Sequence, residues 1–143
     1  MKAAGTVEPA LQNKSYNKDT VIRFSEGLIG CAERREFVLV ENQNILPFRL
    51  LEDATSMQVS FVVLDPRVRI PDYFKQIPAR EWQSVGISDP TKGFALVVVN
   101  MGIDPKDSTA NFQAPLLINY ERMIGRQVIL SDALFCLRQS IFG

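Results

Sequence analysis

Asp65, Asp72, Asp104 and Asp107 are the residues at which acid–base or metal chemistry would first be sought. Paired carboxylates can move protons, and clustered ones can hold a hard cation. The spacing here fits neither role. The run DPKDSTA at 104–110 lacks the alternating oxygen ligands and central glycine of a calcium loop. Asp65 and Asp89 each stand directly before a proline, which is ordinary turn chemistry. The sequence contains no histidine. That removes the commonest general base, the Ser-His and Cys-His nucleophile pairs, and any histidine-ligated metal. Ser25, Ser60 and Ser84 lack a nucleophile-elbow context, and the glycines form no GxGxxG or P-loop. No catalytic, cofactor-binding or metal-binding residue is assigned, and a non-enzymatic protein is expected.

Binding chemistry is the other class to weigh. Trp82 and the nine phenylalanines could stack nucleic-acid bases if they lay beside basic residues. Arg67 and Arg69 are near Phe74, and Arg34 and Arg35 near Phe37. Aromatic side chains on strands more often pack a core, and Arg34 and Arg35 are interleaved with Glu33 and Glu36 as on a solvated face. The 16 basic and 16 acidic residues cancel, which argues against a broad basic footprint. Direct binding of nucleic acid is not expected.

These residues need a scaffold, and 143 residues with 46% hydrophobic content suit one domain with a sizeable core. No apolar run approaches the ~18 residues of a membrane span, and the N-terminus lacks the apolar core of a secretory signal. A cytoplasmic protein is expected, without membrane contact. Cys31 and Cys136 are the only cysteines and form no CxxC. A disulfide between them stays open, but two buried free thiols suit a reducing compartment.

Along the chain, residues 1–18 are mostly small, polar or basic with no period, so 1–19 reads as a flexible tail and 20–143 as the domain. Strands are expected over 20–24, 37–41, 47–52, 59–64 and 94–99, with turn residues between them. The 94–99 run, FALVVV, is apolar almost throughout, as in a central strand buried on both faces. Cys31 to Glu36 suits one helical turn. The best helix is 78–85: proline opens it, Trp82 and Val85 share a face, and Gly86 ends it as C′ residue. The stretch 109–130, TANFQAPLLINYERMIGRQVIL, reads as a hairpin of strands 115–119 and 126–130, with Gly125 taking positive φ in the connection. The direction of 133–142 stays open. The expectation is an all-β, single-domain, barrel-like fold with one short helix near 78–85.

Three blocks carry a resemblance to the FliW family of flagellar assembly factors. In FSEGLIGCAERREFVLVE, 24–41, the family's Phe-x-x-Gly-Ile-x-Gly-Phe run is matched at Phe24, Gly27 and Gly30, with Cys31 in place of the usual Phe. PFRLLED at 47–53 and SFVVLDPRVRIPDY at 60–73 form the second block, and the hairpin stretch the third. Phe135 to Arg138 is similar to a terminal aromatic-x-x-Arg. The resemblance implies a small β-barrel-like binding protein, not an enzyme. It would hold newly made flagellin in the cytoplasm and would bind CsrA, an RNA-binding translational regulator, stopping it from repressing flagellin synthesis. The runner-up is a small β-barrel that binds nucleic acid or a small ligand. The partner surface is expected on the turn 65–73, with Asp65, Arg67, Asp72 and Tyr73 in it: Asp65 and Asp72 would meet basic groups of the regulator, and Tyr73 would anchor an apolar centre.

Overall fold

The strand expected at 94–99 is the hub. β5 (Phe94–Asn100) pairs with three other strands, and its side chains alternate between two cores. The other strands are β1 (Val21–Phe24), β2 (Glu36–Val40), β3 (Phe48–Asp53), β4 (Ser60–Leu64), β6 (Thr109–Ala110), β7 (Leu116–Asn119), β8 (Ile124–Gln127) and β9 (Gln139–Ser140). The structure, a computed structural model, describes residues 20–56, 58–131 and 135–142. The tail expected over 1–19 lies outside the described residues.

The order β4-β3-β2-β1-β8-β7-β5 closes on itself because β5 pairs with β4, through Val63↔Val98 and Leu64↔Val97. Seven strands thus form a closed barrel. Every pairing in it is antiparallel except β1 with β8, where Phe24 lies opposite Gly125. Closure leaves these apolar strands without exposed edges. β6 and β9 extend from the far end of β5 as a small flap.

Side-chain alternation divides the core. Ile22, Phe24, Phe37, Leu51, Val63, Leu96, Leu116 and Ile118 form one buried cluster, the barrel interior. Ala95, Val97, Val99 and Leu117 point the other way, into a second cluster with Tyr73, Trp82, Phe112 and Phe135. This is why FALVVV is apolar at nearly every position. The second cluster packs under two short helices, α1 (Tyr73–Gln76) and α2 (Ala79–Gln83). α2 is the expected helix, with Trp82 and Val85 buried and Gly86 at φ 81°. α1 is additional; at four residues it has no period to read.

Three expectations need correction. Gly125 does not take positive φ: β8 begins at Ile124, so Gly125 lies inside a strand, and the left-handed residue of the connection is Met123 at φ 54°. The connection is held by Asn119, whose Oδ1 accepts from the N–H groups of Glu121 and Arg122 at 3.1 Å each. Gly125 is required for another reason. A Cβ there would lie 2.6 Å from the Phe24 ring, which is fully buried and packed edge-on against Phe37. Cys31 to Glu36 makes no helical turn. Leu28 bridges to Cys31 in a tight reversal, and Glu36 already belongs to β2. Two buried thiols are not found: both cysteines are free, but Cys31 is half-buried and Cys136 exposed.

One ion pair ties the region after β1 to the end of β3. The Arg34 guanidinium lies 2.7 Å from the Asp53 carboxylate, which is 2% exposed. Burial pushes the Asp53 pKa up. Arg34, the N–H and hydroxyl of Thr55 and the N–H of Ser56 outweigh that and hold it below the ordinary carboxylate value. A carboxylate depressed in the folded state adds stability above its unfolded pKa and loses it as pH falls through the folded one.

Two predictions follow from this packing. Gly125→Ala should cost about 1–3 kcal/mol in urea unfolding, as overpacking against a fixed ring does; a midpoint equal to wild type would refute the contact. Asp53→Ala should cost about 1.5–3 kcal/mol at neutral pH, the range for a hydrogen bond to a charged group. In thermal melts the gap between wild type and Asp53→Asn should narrow as pH is lowered through about 4 and below. A gap constant from pH 7 to pH 3 would show that the charge of Asp53 contributes nothing.

Candidate functional site

The turn 65–73 leaves the barrel at the end of β4, whose last residues, Val63 and Leu64, are fully buried. Its base is therefore fixed. Asp65 caps a 3-10 turn, Pro66–Val68, by accepting from the Arg67 N–H at 2.9 Å. Asp89 before Pro90 and Asp104 before Pro105 repeat the device, each accepting from the N–H two residues on. Proline supplies the turn's φ and has no N–H to satisfy, while the aspartate satisfies the next one. Asp65 and Asp104, two of the four aspartates that invite acid–base chemistry, thus hold turns, as does Asp89. Among the described residues, no group of three or more His, Cys, Asp or Glu side chains could hold a metal ion.

Arg67 closes back on the same carboxylate. Its Nη2 lies 2.7 Å from Asp65 Oδ2, and its Nε lies 3.1 and 3.2 Å from the two oxygens. The Asp65 carboxylate raises the Arg67 pKa above its ordinary value. The guanidinium also sits 4.2 Å above the Phe74 ring and 5.8 Å from that of Phe94. Asp65 is thus engaged by a cation of its own turn. Asp72 differs: it is exposed, and its Oδ1 accepts from the neutral Gln76 side chain at 2.9 Å.

Tyr73 cannot anchor a partner as expected, because it is fully buried. Its hydroxyl donates to the Phe112 carbonyl, and its ring packs edge-on against Phe112 and Phe135. Burial pushes its pKa well above the usual phenol value. The sequence places it beside Asp72, but α1 turns it inward and its neighbour Phe74 outward.

Phe74 opens a feature that sequence reasoning missed. The rings of Trp82, Phe74, Phe94 and Tyr120 form a continuous ladder, with centroids 5.7–5.9 Å apart. It runs from buried Trp82 to Tyr120, which is 44% exposed. Arg67 covers Phe74, and Arg49 lies 5.9 Å from the Phe94 centroid. Half-exposed Arg, Tyr and Phe on a rigid base are the residue types that carry binding energy at protein interfaces. A groove of about 300 Å³ lies alongside, lined by Arg67, Pro71, Asp72, Phe74 and Pro90. The site thus brings Asp65, Arg67 and Asp72 together with Phe74 in place of Tyr73.

Comparison with known proteins agrees with this architecture. The family model described as FliW protein matches residues 7–141. A flagellar assembly factor FliW of Leptospira interrogans is 34% identical over 138 residues, spanning 92% of each chain. One from Geobacter sulfurreducens is 32% identical, over 85% of this chain and 76% of its own. A crystal structure of the flagellar assembly factor FliW superposes with a TM-score of 0.81 at 25% identity, covering 91% of both chains. With nearly the whole length matched in sequence and the barrel matched in space, the chain belongs to the FliW family of flagellar assembly factors.

Proposed function

We propose that this protein binds flagellin in the cytoplasm and antagonises a CsrA-type translational regulator, coupling flagellin synthesis to export by competing binding equilibria without a chemical step. The near full-length match to flagellar assembly factors carries this reading. The surface it assigns to a partner is Asp65, Arg67 and Asp72 with the ladder from Phe74 to Tyr120. A basic, RNA-binding regulator would meet Asp72 first, because Arg67 already neutralises Asp65. The runner-up, nucleic-acid binding, has less to work with: Trp82, Phe24, Phe37 and Phe112 are fully buried and offer no ring for stacking.

The test is direct binding of the purified full chain to flagellin and to the regulator by calorimetry. Wild type should bind both, and failure to bind either would overturn the reading. Asp72→Lys should weaken regulator binding at least tenfold with an unchanged melt, since it reverses an exposed charge at the interface. Tyr73→Phe should leave both affinities alone and lower stability by about 1 kcal/mol through loss of the bond to Phe112. Affinities within about twofold of wild type in Asp72→Lys would move the partner surface elsewhere.

A further inference from the structure

A second surface lies at the opposite end of β5. There β5 parts from β4: pairing with β4 stops at Val63↔Val98, while on its other edge Val99 and Asn100 pair with β6. The parting leaves a groove of about 350 Å³ with Val98 and Val99 in its lining. Phe61 adds to it from β4, Ile29 from the reversal after β1, and Leu137 from the segment before β9. Ile29 is 59% and Leu137 62% exposed, a large apolar area for two neighbours on one groove.

The walls are fixed before anything binds. The Ile29 N–H donates to Gln127 Oε1 at 2.7 Å, and Gln127 Nε2 donates to the Ala114 carbonyl at 3.0 Å. One side chain of β8 thus clamps the Ile29 reversal to the barrel. The opposite wall is the β6–β9 flap, paired at Thr109↔Ser140 and Ala110↔Gln139. Arg138 is the one charged residue of the lining. No salt bridge reaches it among the described residues, in contrast to Arg23, Arg34, Arg49, Arg67 and Arg126.

From this charge and shape we infer that the groove is a docking site for an extended, apolar segment of a partner protein that carries an acidic side chain. The apolar side chains would cover Ile29, Leu137 and Phe61, and the carboxylate would pair with Arg138. Among the described residues β5 has no strand partner on its β4 side beyond Val98, so an extended segment can lie alongside it there. A carboxylate facing a guanidinium at the rim of an apolar contact adds orientation as well as affinity. The surface shares no residue with the 65–73 turn.

The test uses the full-length, 15N-labelled protein and a synthetic peptide, Leu-Val-Glu-Val-Leu, acetylated and amidated so that its only charge is the glutamate. Titration followed by NMR should shift the amides of Ile29, Val99, Asn100, Leu137 and Arg138. The same peptide with Gln for Glu should bind at least fivefold more weakly, and Arg138→Gln should abolish that difference without lowering the melting temperature. Ile29→Ser should weaken both peptides alike. Shifts centred elsewhere, no shifts at several millimolar peptide, or equal binding of the Glu and Gln peptides would overturn the assignment. Neither flagellin nor the regulator is in the tube, so this result stands or falls apart from the function proposed above.

Discussion

The structure depends on β5 being buried on both faces. A strand of an ordinary one-layer sheet has a wet side, and its sequence alternates. β5 instead sends Leu96 into the barrel and Ala95, Val97 and Val99 into the helix-covered cluster. It closes the barrel by pairing with β4, continues it by pairing with β7, and carries the flap by pairing with β6. A polar side chain at an interior position of β5 would have to be desolvated in one core or the other, at several kcal/mol if unpaired. Few substitutions there leave either layer intact.

Surface chemistry in this chain is largely settled close to home. The formal net charge is zero, and much of the cancellation is between near neighbours: Asp65 with Arg67, Asp104 with Lys106, Arg34 with Asp53. Each Asp-Pro turn spends its carboxylate on the next free N–H. The exposed pairs among them, Asp65 with Arg67 and Asp104 with Lys106, add little stability, roughly 0–1 kcal/mol. Their effect is on recognition. An aspartate that already holds an arginine offers a partner little field, so the groups that stay open, Asp72 on one surface and Arg138 on the other, weigh more than the count of charges suggests.

Much of the barrel is legible in the sequence because its signals are local. The apolar run of β5, the Asp65-Pro66 stop after β4, and the pairing of Trp82 and Val85 before Gly86 each sit within a few residues. What escapes is set by contacts distant in sequence. Gly125 looks like a turn glycine beside its neighbours, yet its small size answers to Phe24, about a hundred residues earlier. Tyr73 looks available beside Asp72 until Phe112 and Phe135 close over it. The ring ladder draws on α1, α2, β5 and the loop after β7, and no period or spacing in the chain announces it.

The two surfaces share a strand but not a residue. Phe94, at the start of β5, belongs to the ring ladder beside Arg67; Val98 and Val99, near its end, line the groove beside Arg138. Five residues of strand separate Phe94 from Val99, about 16–17 Å at the usual rise. The link between them is neither a hinge nor a loop. It is a strand packed on both faces, and close-packed cores deform little short of a discrete rearrangement. Ligands at the two ends would therefore coexist as far as contact residues are concerned. Partners that compete while using these two surfaces must exclude each other through their own bulk, and small segments cut from them would lose the competition while keeping their sites.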